Sequence, residues 1–305
     1  MFELRCGGYQ PSRSIHNAAM RRFGEALALR FGDECRFSLV EDVTAQGHKA
    51  SDLLDLVEGA DLDLCYFATS YLAARVPDLA VFDQPFPTME RAELFARLDG
   101  ASGAMLTRAI ASATGFEALA FWDNGLRHIS NRLRPIVRPV DCEGLTIRVL
   151  PSQLYAATFR ALGAAPEVID VKDLRRAILD GRVDAQENPL TNIVTFGLDE
   201  AHRHISLTGH FQGIALVLAN RSRFEQLPGD ARAGIAECLA KATRLQRELA
   251  VQEDTDCLAL LEARGVAVVR PEALDLAGFR AAVAGVAASS GAGVDPALLS
   301  QLRDA

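Results

Sequence analysis

Three short segments carry the residue types that hold small anions. The first is Gly144-Leu-Thr-Ile-Arg-Val-Leu-Pro-Ser152. Gly144 fits a turn, and Thr146–Leu150 alternates as a strand would, with Ile147 and Val149 facing one way and Arg148 the other. A guanidinium inside a buried strand needs a partner, because a buried charge left unpaired is strongly destabilising. The strand stops at Leu150, and Pro151-Ser152 opens a helix. Ligands of open α/β sheets sit beyond the carboxyl ends of strands, where helix N-termini favour anions. Arg148 is therefore placed either to fork onto a ligand carboxylate or to pair with an internal Asp or Glu.

The second segment is Asp184-Ala-Gln-Glu-Asn-Pro189, polar residues directly after Val183 at another predicted strand end. Asn188 offers a donor and an acceptor, and Pro189 stops the strand. The third is Trp122-Asp-Asn-Gly-Leu-Arg127, where the single Trp precedes a turn and a further Arg. Such a Trp reads either as packing or as a site wall. The standard catalytic and nucleotide signatures (GxxxxGK[ST], GxSxG, HExxH, and GxGxxG after the first strand) are missing, so the residues give no support for an enzyme. His202, His204 and His210 are the nearest approach to a metal set, but no Cys or carboxylate completes it at useful spacing. They read as surface or hydrogen-bonded histidines, and neither metal nor cofactor is expected.

The elements that must position these residues follow α/β order. Phe2–Cys6, a helix from about Ser14 to Phe31, Arg36–Val40, Ala50–Val57 and Leu62–Phe67 read as βαβαβ, which implies a parallel sheet with helices on its faces. The style repeats with strands at Ala118–Trp122, Thr146–Leu150, Val168–Asp170 and Val183–Gln186, and with helices over Ser152–Leu162 and Lys172–Leu179. Ser206–Thr208 and Ile214–Ala219 read as further strands. A helix from about Gly229 to Arg264 is long enough to bridge two lobes. The Ala-, Ser- and Gly-rich tail, Ala287 to Ala305, reads as peripheral.

Composition agrees with this outline. At 305 residues the chain is about twice a typical domain of roughly 150, so two lobes are expected. No apolar run approaches the ~20 residues of a membrane helix. Net charge is -8, and of the 32 cations only Lys49, Lys172 and Lys241 are lysines. The cations form no basic stripe with interleaved aromatics, which argues against nucleic acid. The six cysteines are far apart and lack metal spacing, so they read as small core residues. Met1-Phe2-Glu3-Leu4 runs straight into the first strand, so no leader is visible, and either cytoplasmic residence or a removed leader is compatible with that start.

Taken in order, Trp122-Asp-Asn-Gly-Leu-Arg127, Gly144-Leu-Thr-Ile-Arg148-Val, Ala161-Leu-Gly-Ala, Asp184-Ala-Gln-Glu-Asn188-Pro-Leu-Thr-Asn192, Ser206-Leu-Thr-Gly-His210 and Gln246-Arg-Glu-Leu resemble one family. It is the DctP-type solute-binding proteins of tripartite ATP-independent periplasmic (TRAP) transporters, and the resemblance runs from the first strand to about Arg270. It implies a two-lobed, periplasmic-binding-protein-like α/β fold of class II type with discontinuous lobes, 1–124 plus 209–250 and 125–208 plus 251–305. A cleft lies between the lobes and a long helix spans both. It implies an organic acid as ligand, with Arg148 as carboxylate clamp, Asn188 as the cleft Asn and Arg127 as a second cation. Tyr9, Ser70 and Trp122 fall where relatives line the other end of the ligand. Val171-Lys-Asp-Leu-Arg175 stands where many relatives have Phe-Ser-Glu-Val-Tyr, so an aromatic wall is expected to be missing.

The function so implied is a non-catalytic receptor that closes on a small carboxylate by hinge motion and hands it to the small and large membrane subunits of a TRAP permease. The resemblance places it in the periplasm and outside the bilayer, most simply as a monomer. The alternatives are a cytoplasmic carboxylate-binding sensor or delivery protein, and an enzyme using the cleft for lyase or hydrolase chemistry.

Overall fold

The structure, a computed structural model, describes residues 1–289 and 293–302. The chain opens with β1 (Phe2–Gly7), α1 (Ile15–Phe31), β2 (Cys35–Val40), α2 (Asp52–Glu58) and β3 (Leu64–Ala68). Ser14 starts α1 by accepting the Asn17 amide hydrogen, and Ala19, Met20, Phe23 and Leu27, spaced by one to four residues, turn one helix face inward. β1 pairs in parallel with both β2 and β3, as helical crossovers require. Helices α3 (Arg91–Leu98) and α4 (Ala101–Ala113) lead to β4 (Phe116–Asn131). A second α/β unit follows: β5 (Thr146–Val149), α5 (Gln153–Ala161), β6 (Ala165–Val168), α6 (Val171–Leu179), β7 (Ala185–Pro189) and α7 (Leu190–Thr195). The chain then runs through β8 (His204–Asn220), α8 (Arg221–Glu225), α9 (Gly229–Ala263), β9 (Ala267–Val269), α10 (Leu276–Ala282), α11 (Ala284–Ser289) and α12 (Pro296–Leu302).

Among the described residues the strands form one nine-stranded sheet, ordered β2-β1-β3-β8-β4-β7-β5-β6, with β9 on β8. The antiparallel pair β4 and β8 is the spine that joins the two halves of the sheet. At 16 and 17 residues each spans about 50 Å, more than one lobe needs. Register shifts between Asp123 and Gly125 and between Arg127 and Ile129 mark where the spine bends. Gly125 has φ +82°, and a Cβ on the facing Gly213 would lie 2.8 Å from the Gly125 carbonyl oxygen, so both positions need glycine. On the outer side, α9 grips the spine just before the bend. The Gln246 side chain accepts from the Asp123 amide at 2.8 Å and donates to its carbonyl at 2.6 Å, and Trp122 Nε1 donates to Thr243 at 2.9 Å.

Buried apolar side chains form three clusters. The first surrounds β1, β3 and the distal half of β8, and the others lie around β5 with α5 and around α6, α7 and β9. Helix α9 contributes Ile235, Leu239 and Ala242 to the first and Cys257 and Leu261 to the third, so it does bridge the two lobes.

Several expectations need correction. The two strands expected at 206–208 and 214–219 are parts of the single strand β8, because its glycines let it bend rather than break. The strand expected at 168–170 lies at 165–168, and Asp170 caps α6 instead. The strand expected at 183–186 runs 185–189, since its polar side chains are satisfied by one another inside the sheet. The tail is not peripheral: Val294, Leu298 and Leu302 are buried in the first cluster, and Gln301 accepts from Ser102 of α4 at 2.8 Å. Residues 290–292 and 303–305 of that expectation lie outside the described residues. All six cysteines are free and five are buried. Among the described residues no helix is long and apolar enough to cross a membrane.

Candidate ligand-binding site

Strand β5 lies between β6 and β7, and its buried Ile147 and Val149 anchor it. Arg148 is only 1% exposed. Its Nε donates to the Ile169 carbonyl at 2.8 Å, and its Nη2 has no partner. No carboxylate pairs with it among the described residues. The internal salt bridge left open by the sequence is therefore not the one formed, and a buried cation is held with part of its hydrogen-bonding fork unused.

Beside it, β7 presents Gln186, Glu187 and Asn188, all buried. Arg127 from β4 pairs with Glu187 through Nε and through Nη2 at 2.9 Å, and reaches Asn188 Oδ1 at 3.1 Å. Burial alone would raise the Glu187 carboxyl, but the Arg127 charge and its hydrogen bonds hold it below its ordinary range. His210 Nε2 lies 3.7 Å from the same carboxylate, and burial keeps that imidazole below its usual value. Arg127 is thus a compensated cation. Asn188 donates to Gln186 Oε1 at 2.5 Å, Gln186 donates to Ser130, and Ser130 meets His202, which fixes the whole row.

Tyr9, Ala68, Tyr71 and Asn124 from the first-lobe side meet Arg127, Arg148, Leu150, Val171, Asn188, Asn192 and Phe196 around a tightly closed cavity of about 10 Å³. Burial pushes the Tyr9 hydroxyl well above its usual pKa, so it stays a neutral donor. A larger groove, about 850 Å³, is lined mainly by small residues such as Ala73, Ala80 and Ala157. The smaller cavity is the better candidate because buried polar groups converge there. The lobes touch across it: Gln10 donates to Asn192 at 3.2 Å, Arg13 donates to the Val194 and Thr195 carbonyls at 2.7 and 2.5 Å, and the Ala50 amide donates to Asp170 at 3.1 Å.

Four expected site residues, Arg148, Asn188, Arg127 and Tyr9, meet in this cavity. Two do not. Trp122 is packed against Tyr66 and His16 in the core. Ser70 turns its hydroxyl onto Asp83 at 2.7 Å. Their neighbours Asn124 and Tyr71 line the cavity instead. The bulge at Asp123–Gly125 re-aims the strand so that Asn124 points where simple alternation from Trp122 fails. The aromatic wall expected to be missing at Val171 is supplied elsewhere, by Tyr9, Tyr71 and Phe196.

Comparison with known proteins agrees with this geometry. The family profile described as "Bacterial extracellular solute-binding protein, family 7" (DctP) matches residues 7–292. A solute-binding protein of Verminephrobacter eiseniae is 32% identical over 293 residues, covering 96% of this chain and 86% of that one. The 2,3-diketo-L-gulonate-binding periplasmic protein YiaO of Escherichia coli is 27% identical over 263 residues, covering 86% and 79%. The fold superposes on the sugar acid binding protein DctPAm of Advenella mimigardefordensis, in complex with galactonate, with a TM-score of 0.92 at 24% identity, covering 99% of this chain and 96% of that one. Members of this family are solute-binding receptors rather than enzymes. With the spine, the bridging helix and the Arg148 cavity in place, the chain belongs to the DctP family of bacterial extracellular solute-binding proteins, the solute receptors of TRAP transport.

Proposed function

We propose that this chain is a periplasmic receptor that traps a small organic acid between its lobes and delivers it to the small and large membrane subunits of a TRAP permease. The observation that carries the reading is Arg148: fully buried, bonded only to the Ile169 carbonyl, with no carboxylate partner among the described residues. Arg148 forks onto the ligand carboxylate. Asn188, Arg127 and Tyr9 hold its flank, while Tyr71 and Asn124 from the other lobe contact its far end. Charge-assisted bonds contribute about 1.5–3 kcal/mol each in a dehydrated cleft. Because both lobes touch the ligand, binding favours the closed arrangement that Gln10, Arg13 and Ala50 already latch. The lobes divide at the spine near 124 and 208 and at α9 near 250, with 293–302 returning to the first lobe. The protein acts as a monomer, uses no cofactor and returns its ligand unchanged.

The named relatives support a carboxylate ligand, since their ligands include 2,3-diketo-L-gulonate and galactonate. The test is a thermal-shift panel of sugar acids, C4 diacids, keto acids and aromatic acids. A ligand at 100 times its Kd adds about 2.7 kcal/mol, a shift of several degrees at this chain length. The reading expects hits within one chemical class and recovery of the acid intact. A panel with no hit, or conversion of the bound acid, contradicts it.

A further inference from the structure

Resting on that reading, we propose that closure of the lobes takes up a proton on Asp83, so that the acid is held more tightly as the medium becomes acidic. The groove of about 850 Å³ runs between the lobes, with Ala73, Ala80 and Asp83 from one and Ser152, Ala157 and Arg160 from the other. Asp83 ends a short 3-10 helix, Pro77–Asp83, and is only 1% exposed. Ser70 donates to Oδ1 at 2.7 Å. The other oxygen, Oδ2, is buried and has no hydrogen-bond partner among the described residues. An ionised carboxylate is poorly served there, whereas a protonated one carries no charge to desolvate.

The second lobe makes this environment. Of the groups that act on the Asp83 charge, Ser70 belongs to its own lobe, whereas Ser152, Tyr155, Arg127 and Glu187 belong to the other. Arg127 favours the anion, but Glu187 already engages that cation and itself opposes the anion. The remaining ionisable groups around the segment do not compensate. Asp78 on the same helix accepts from the Asp295 amide, and burial keeps Tyr71 a neutral phenol. His210 of β8, against Phe86, is held below its usual value by burial. Arg108 of α4 and Arg160 of α5 are exposed, and α12 carries no ionisable residue from 296 to 302. Burial therefore dominates and pushes the Asp83 carboxyl up to about 6.

Parting the lobes lets water reach both oxygens and returns the group toward the ordinary aspartate value of about 3.9. The closed form then binds a solvent proton, on Oδ2, that the open form does not. Its advantage is full below the open value and is lost as pH rises through about 6. A bound acid touches both lobes and holds them closed, so the same proton strengthens binding.

The test is calorimetric titration of the purified full chain at pH 5, 6, 7 and 8 with galactonate, or whichever acid of the panel binds tightest, in buffers of different ionisation enthalpy. The expected result is about tenfold tighter binding at pH 5 than at pH 8, with uptake of about half a proton per acid bound at pH 6. Asp83→Asn, neutral at every pH, is expected to lose most of that slope and to bind at pH 8 nearly as tightly as the wild type does at pH 5. Affinity independent of pH, or proton release on binding, overturns the proposal and leaves the receptor reading standing. An undiminished slope in Asp83→Asn does the same. Where that variant does not fold, the wild-type proton count decides. Failure of every acid at every pH overturns the receptor reading and the proposal with it.

Discussion

Replacing Arg148 by Met separates a ligand clamp from a structural cation. In the free protein the guanidinium is buried, bonded only through Nε to Ile169, and faces no carboxylate among the described residues. Met has similar length and no charge, so the substitution removes an uncompensated buried cation and one hydrogen bond. The melting temperature of free Arg148→Met protein is expected to stay level or rise. In the complex the balance reverses, because the ligand carboxylate is then buried without its counter-ion. Breaking a buried pair in this way costs about 3–5 kcal/mol, which is on the order of a 10²- to 10⁴-fold rise in Kd. Paired measurements, calorimetry for the acid found by the panel and thermal melting of the free protein, read both halves. Undiminished affinity would refute the clamp. A collapse in stability of the free protein would show that Arg148 holds the fold rather than the ligand.

Three further outcomes follow from the geometry. His16 and His128 are pushed by burial down to about 3 and His202 to about 4, well below the unfolded value, so their stabilising contribution is present above pH ~6.5 and is lost as pH falls below it. Asp83 and Asp123, raised to about 6 by burial, oppose this in the same window, and the more numerous buried imidazoles leave a net loss of stability between pH 7 and pH 5. Urea unfolding at the two pH values checks it, and His16→Phe, which removes two unpartnered buried nitrogens, should soften the slope; equal or greater stability of the wild type at pH 5 refutes the reasoning. Arg13→Ala removes the bonds to the Val194 and Thr195 carbonyls, worth roughly 1 kcal/mol to the closed form. Stopped-flow dissociation should speed up about fivefold with little change in free-protein stability, and an unchanged off-rate would show that the contact does not latch the lobes. Gly213→Ala drives a Cβ toward the Gly125 carbonyl and should destabilise by about 1–3 kcal/mol in chemical denaturation, whereas a neutral result would mean the spine can relax there.

Much of this was legible before any coordinates. The βαβαβ start, the capped helix from Ser14, the bridging helix from Gly229 and the inward face of Arg148 all follow from local periodicity, capping and turn chemistry. The strand expected at 183–186 reads as stopping in polar residues, yet Gln186, Glu187 and Asn188 are buried on a strand that runs to Pro189, and the partners Ser130 and Arg127 lie far away in the chain. The same holds for Arg127, whose neutralisation by Glu187 is a tertiary fact. Trp122 and Ser70 were each one or two residues from the side chain that lines the cavity, because a bulge and a turn set direction and neither leaves a clear mark in one sequence. The tail reads as weak helix, and only the depth of the first core reveals why Leu298 and Leu302 are apolar.

A crystal structure of the protein grown with its tightest-binding acid tests the central claim most directly. The expected result is one carboxylate forked onto the Arg148 guanidinium at about 2.7–2.9 Å, with the far end of the acid against Tyr71 and Asn124 and both lobes in contact. An acid seated instead in the larger groove between 73–80 and 151–157, with Arg148 still bonded only to Ile169, would contradict it.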